Sequence, residues 1–363
     1  MDVAPAHLRM AATDLFPDAL DWDEWLARRA AAAAPHASPS LIAAALPAIA
    51  PHCTCRELVR LTAACHELRK VEQLPIDVTS WSRAYSAREI IRFVEQHGRR
   101  FLVPKVNMRT GGQLEFNTIL SSVAGLREFR VVLPPMGPND GILSLEAVPQ
   151  ARSLTELHFG LDALHAYFAD LGPLAGCANL RKLQLATCAL SDLSPLARCR
   201  LSELSLIHLF VLADLSPLAQ LISLRALKVS RCGAVSDITA LGRLVALEEL
   251  ELLRLDSLTD IQPLATCTAL TSLQLTGCAV IEHVRPLAAL SRLKSLILVG
   301  CRRLTDVSPL ARCPSLEALN LSQCNSLQGD LSGLANACAS LRQLNLRSTD
   351  VRCEPREGLE VII

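Results

Sequence analysis

The chain has 363 residues, half of them hydrophobic and only 4% aromatic, and its 36 basic residues balance 36 acidic ones. So much apolar surface excludes disorder over the whole chain. The balanced charge gives no electrostatic argument for a nucleic-acid or anionic-membrane partner. Every apolar run is interrupted before it is long enough to cross a bilayer, so no membrane-spanning helix is expected. The first ten residues hold Asp2 and lack an apolar core, which speaks against a secretory signal. Fourteen cysteines without an export signal predict reduced thiols and an intracellular, cytoplasmic or cytoskeletal place, with the nucleus left open.

Residues 1–37 read as an arm. The stretch "DALDWDEWLARRAAAAA" either forms a helix with Trp22, Trp25 and Leu26 as its stripe or is an Ala-rich tail. Residues 38–70 read as two or three short helices. Leu58, Leu61, Cys65 and Leu68 share one helical face, and Pro47 and Pro51 interrupt the run before it. Next, Val71, Leu74 and Ile76 have the spacing of a short strand. A helix follows in "YSAREIIRFVEQHGRR", with Ser86 and Glu89 as a capping box and Gly98 as its stop. The stretch "FLVPKV" from Phe101 is the next expected strand.

From there the chain repeats itself. Equivalent leucines stand at Leu224, Leu247, Leu270, Leu293 and Leu316, always the same step apart. Flanking copies begin at Leu154, Leu180, Leu201 and Leu341, and weaker ones at Phe101 and Leu126. The pattern is L-x-x-L-x-L-x-x-C/N, then an apolar turn, often with P-L-A. Leu227 and Val229 alternate, as do Leu250 and Leu252, Leu273 and Leu275, and Leu296 and Leu298. Alternation puts them on one face of a strand. No single coil can bury that face alone, so neighbouring coils must stack and share one core. The predicted fold class is α/β: a curved solenoid of about eleven coils with a concave parallel sheet, short helices or turns on the convex side, and an N-terminal helical cap. The solenoid is expected over residues 71–350, followed by a tail or cap over 351–363.

The cysteines fit that frame. Cys188, Cys232, Cys278, Cys301 and Cys324 each stand at one fixed place after the first leucine of a repeat. Cys177, Cys267, Cys313 and Cys338 stand at another, shortly before the next first leucine, and Cys199 lies one position closer to its own. Both series predict inward thiols, with Cys53 or Cys353 as the accessible ones. One thiol per coil makes a column, not a tetrahedron, so no metal site is expected there. Cys53, Cys55, Cys65 and His66 have a tight C-x-C spacing without a second pair at a zinc-site distance. Proline before leucine recurs from Pro173 to Pro309, suiting the first turn of a short helix, with Ser194, Ser216 and Ser308 as expected N-caps. Asp192, Asp214, Asp237, Asp260 and Asp306 recur before that turn. They read as caps for backbone N–H groups in preference to calcium ligands.

No phosphate loop, nucleophile elbow or H-E-x-x-H motif is present. No catalytic, cofactor or metal residue is expected, and the chain reads as a non-enzymatic interaction protein. Its surface is the outward row of the strands, charged and mixed in sign from Glu156 to Glu251 and nearly uncharged from Ser272 to Asn345. The candidate partner-binding residues are Glu249, Glu251, Gln274, Asn320 and Asn345, with Leu253, Ile297 and Val299 as an apolar strip. Leu58 and Leu61 are candidates in the N-terminal helices. A protein or peptide fits such a face better than nucleic acid, which needs a basic stripe.

Residues 101–351 resemble leucine-rich-repeat proteins. The coils between 180 and 340 look most like the class with repeated D-I/V-x-P-L turns. Residues 38–100, through "CRELVRLTAACHELRKV", "LPIDVTSW" and "REIIRFVEQHGRRF", resemble the F-box and first repeat of F-box/leucine-rich-repeat proteins. Leu58, Leu61 and Cys65 match apolar positions of that motif, while its usual tryptophan is absent, with Leu68 nearby instead. The resemblance implies that residues 38–70 dock on a Skp1-like adaptor and that the repeats present a substrate for ubiquitination. In the alternative reading these helices only cap the solenoid, and the chain is a scaffold subunit of a cytoskeletal, flagellar or organellar assembly.

Overall fold

The computed structural model describes residues 74–77, 101–109, 113–123, 125–132, 144–160, 170–186, 189–354 and 356–363. The arm, the helices of 38–70 with Leu58 and Leu61, the Ser86–Glu89 capping box, the Cys53–His66 cluster and Cys188 lie outside them. The chain divides into two units. In the first, β1 (Leu74–Asp77) and β2 (Phe101–Arg109) pair in parallel, Leu74 opposite Phe101. Both strands stand where the spacing of Leu74 and Ile76 and the stretch from Phe101 predict them.

The second unit is a stack of coils. It opens with helix α1 (Gln113–Ser122) and β3 (Glu128–Val132). Then come β4 (Glu156–Phe159), β5 (Lys182–Ala186), β6 (Glu203–Ile207), β7 (Ala226–Ser230) and β8 (Glu249–Leu253). They are followed by β9 (Ser272–Gln274), β10 (Ser295–Ile297), β11 (Ala318–Asn320), β12 (Gln328–Asp330), β13 (Gln343–Asn345), β14 (Asp350–Arg352) and β15 (Glu360–Ile362). Within this unit all strands but β12 and β14 lie side by side in one curved parallel sheet, and those two pair with each other. The last residues therefore add a strand: β15 pairs with β13 and covers the sheet's C-terminal edge.

Register follows the sequence repeat. Leu227 stands opposite Leu250, Leu250 opposite Leu273, Leu273 opposite Leu296 and Leu296 opposite Leu319. Each is buried, as are the second leucines or valines of the alternating pair, from Leu206 to Leu321. A parallel sheet with one continuous leucine row is what coils unable to bury their apolar side alone must build.

Short 3₁₀ turns run down the other side: Gly172–Gly176, Ser194–Arg198, Ser216–Gln220, Thr239–Arg243, Gln262–Thr266, Arg285–Ala289 and Ser308–Arg312. In the next coil the turn lengthens into helix α2 (Ser332–Ala337). Proline sits in the first two positions of most of these turns, where its missing N–H leaves no bond unmade. The cap differs from expectation. Ser194, Ser216 and Ser308 are the first residues of their turns, not the caps. The carboxylate just before them does that work: Asp192, Asp214 and Asp306 accept the serine N–H at 2.7, 2.7 and 2.8 Å and the hydroxyl through the other oxygen. Asp237 and Asp260 accept the N–H of Thr239 and Gln262 in the same way. A charged acceptor at this place also meets the positive end of the turn.

Cysteines fill the bends. Cys278, Cys301 and Cys324 are fully buried and donate S–H to Leu252, Leu275 and Leu298 of the preceding coil at 3.3, 3.2 and 3.1 Å. Cys267, Cys313 and Cys338 do likewise at the opposite bend, toward Leu241, Leu287 and Leu310. Cys353, expected to be accessible, is buried, and Cys177 is the most open of the described thiols. Immediately before the first cysteine column the backbone turns left-handed. Gly277 and Gly300 sit at φ +74° and +73°, and Arg231, Arg254 and Gln323 hold the same place at +54°, +53° and +62°. Glycine there is free of the Cβ penalty that the other three bear.

Candidate partner-binding face

The strands position the candidate site. Between two inward leucines each strand turns one residue outward, and the sheet register lines these residues into rows. One row runs Glu156, Lys182, Glu203, Ala226, Glu249, Ser272, Ser295, Ala318, Gln343. The next runs His158, Gln184, Ser205, Lys228, Glu251, Gln274, Ile297, Asn320, Asn345. Glu203, Glu249 and Gln343 are exposed, and the rest are half-buried by their neighbours.

In the first half the charges are paired across coils. Lys182 reaches Glu203 at 3.0 Å and Glu156 at 3.6 Å. The hydrogen bond to Glu203 and the two carboxylates hold its pKa above the usual lysine value despite partial burial. Lys228 meets Glu251 at 2.5 Å. Of the predicted acidic pair, Glu251 is therefore neutralised and Glu249 is the one that projects. From Gln274 onward the face is uncharged. Gln274 donates to the Thr276 hydroxyl at 3.0 Å. Asn320 and Asn345 accept the N–H of Ser322 and Arg347 at 3.0 and 3.1 Å, so they shape the exit from the strand as well as face outward. The apolar strip is broken. Leu253 and Val299 occupy the same place in coils two apart with Thr276 between them, and Ile297 belongs to the neighbouring row. All three are half-buried.

Several surface features escaped the sequence reading. Phe210 and Val211 are exposed by 61% and 53% just after β6. A groove of about 500 Å³ lies at the turns after β8 to β10, with Asp260, Glu282, His283, Arg285, Arg303 and Asp306 in its wall. Arg303 and Glu282 pair across it at 2.5 Å. The first strands also bring Glu128 beside Glu156 and Arg130 beside His158. Periodicity signals none of these, because it reports the inward rows and not which outward side chains of neighbouring coils meet.

The thiols of the described residues are not poised for chemistry. Burial pushes Cys267, Cys278, Cys313 and Cys324 up to about 11, and Cys301 higher still. A nucleophilic cysteine needs the opposite shift. Among the described residues no helix is long and apolar enough to cross a membrane.

A sequence model described as Leucine Rich repeats (2 copies) matches residues 291–336. Those are the coils of β10 and β11, with their constant step, leucine row and cysteine bend. The coils are leucine-rich repeats. A crystal structure of an internalin (inlF) from Listeria monocytogenes superposes with a TM-score of 0.59 at 18% identity, over 85% of this chain and 92% of that one. An internalin C2 (inlC2) from the same organism gives 0.39 at 24% identity, over 63% and 83%. The plant peptide hormone receptor RGFR1, in complex with RGF2, gives 0.40 at 14% identity, over 72% and 53%. No curated protein matches the chain. The first of these likenesses shows a shared fold. Leucine-rich repeats form a non-catalytic protein-interaction architecture, and the outward rows of β4 to β13 are the face of the sheet turned away from the leucine row.

Proposed function

We propose that the repeats hold a protein partner on the outward rows of β8 to β13, with Glu249 at one border and Gln274, Ile297, Val299, Asn320 and Asn345 across the middle. The observation that carries this is the division of the face. The charges of β4 to β8 are largely paired among themselves, whereas β9 to β13 present amides, hydroxyls and one isoleucine. Uncharged, half-buried side chains lose little hydration when covered, and aligned amides supply hydrogen bonds to a partner backbone.

The finer reading makes the chain the substrate-recognition subunit of a Skp1-cullin-F-box-type ubiquitin ligase inside the cell. Its support is the resemblance of residues 38–100, with Leu58 and Leu61 toward the adaptor. Affinity purification of the intact chain beside a form lacking residues 38–70 tests it. Adaptor and cullin recovered only with the intact chain support the ligase. Their absence from both, with a stable set of structural proteins recovered instead, replaces it by the scaffold reading and leaves the repeat surface as the binding element.

A further inference from the structure

The geometry points to a divalent metal site of the zinc class on the outward side of β3 and β4, built from Glu128, Glu156 and His158. One donor atom from each lies within 4.8 Å of the other two. His158 Nε2 and Glu156 Oε2 are 3.6 Å apart, close to the separation of two donors on a tetrahedral ion with legs of about 2.1 Å.

Two observations support a ligand here over a cluster of surface charges. Glu128 is buried, unlike an ordinary solvated carboxylate. His158 Nε2 is sealed from solvent, and its nearest acceptor, Glu156 Oε2, stands at 3.6 Å, too long for a good hydrogen bond to a buried ring nitrogen.

The neighbouring cations leave room. Lys182 sits 3.6 Å from Glu156 Oε1, but its shorter bond, at 3.0 Å, goes to Glu203. Arg130 binds Glu128 Oε1 through Nε at 2.6 Å from a side chain 52% exposed, so it can turn to water as an ion enters. One imidazole and two carboxylates suit Zn²⁺, Co²⁺ or Mn²⁺ better than calcium, which takes oxygen donors alone. Three protein ligands leave a position open on the face that also carries the repeat surface.

Co²⁺ titration of the full-length chain, read by visible absorbance, tests the site. Thiolate ligands announce themselves by an intense charge-transfer band, which separates this cluster from the cysteines. The expected result is one Co²⁺ per chain with weak d–d bands and no thiolate band, bound at least about tenfold more weakly by His158→Gln and by Glu156→Gln. Circular dichroism confirms that each variant is folded, and if the histidine variant is not, the glutamate variant decides. No saturable Co²⁺ uptake by the intact chain, a thiolate band at saturation, or unchanged affinity in a folded variant overturns the site.

Discussion

The coils from Leu224 to Leu316 and those from Leu126 to Leu180 solve one packing problem in two ways. In the later set every step is the same, and leucine, isoleucine, valine and cysteine fill the interior. In the earlier set the steps from Leu126 to Leu154 and from Leu154 to Leu180 are both longer, and the buried Phe129 and Phe159 of their interior pack with the buried Phe116 of α1. Phe116 stacks on Phe129 at 5.6 Å and lies 6.2 Å from Phe159. Longer coils enclose more volume, and aromatic rings fill it. The outward faces diverge as well: the irregular coils gather Glu128, Glu156, His158 and Lys182, and the regular ones carry short uncharged side chains from β9 onward. Repetition constrains only the inward rows, so the surface is free to vary wherever a ligand needs it.

The largest expected effect is in the regular coils. Leu273→Asp puts a charge between β8 and β10 and should cost about 4 kcal/mol or more, enough to unfold the coils around it. Denaturant unfolding measures the loss, and a variant of unchanged midpoint breaks the register. Phe129→Ala should cost about 3–5 kcal/mol, with hydrogen exchange rising first in the irregular coils. A uniform rise instead denies those coils a core of their own.

Smaller effects sharpen the contrast at the turns. Serine or threonine hydrogen bonds hold Asp192, Asp237 and Asp330 below the ordinary aspartate value of 3.8. A depressed folded pKa means that the caps stabilise fully above about that pH. Their contribution is lost as pH falls through the lower folded values. Acid unfolding of an Asp237→Asn variant should accordingly be less steep in that window. Cys278, Cys301 and Cys324 should resist thiol labelling in the native chain, since burial hides them and raises their pKa, and Cys177 should react before them. The smallest effect belongs to the surface pair. Losing Lys228–Glu251 by Lys228→Ala should change stability by less than about 1 kcal/mol.

What the sequence disclosed follows the same division. The leucine step, the alternation and the cysteine columns each report an inward residue, and the described members of those sets point inward, Cys177 the least completely. Asp192 and its equivalents were legible as caps because they recur at one place. Ser194 was misassigned because serine and aspartate are both good caps and only the backbone shows which one precedes the turn. The break at Thr276 was legible once coils were aligned, since Leu253, Thr276 and Val299 hold equivalent places after Leu247, Leu270 and Leu293. Glu128 beside His158 was not, because the longer step from Leu126 hides their alignment. The left-handed column was half-visible: Gly277 and Gly300 mark it, and Arg231 and Arg254 conceal it.

Adjacent residues on β10 separate the inward rows that make the fold from the outward rows proposed to bind. Leu296 is fully buried, and Ile297 faces outward on the same strand. Thermal unfolding and partner recovery should be measured for Leu296→Asp and Ile297→Asp side by side. Leu296→Asp should lose its cooperative transition, while Ile297→Asp should melt within a few degrees of the parent chain and lose its partner. A folded Leu296→Asp, or an Ile297→Asp chain that recovers its partner undiminished, would contradict that separation.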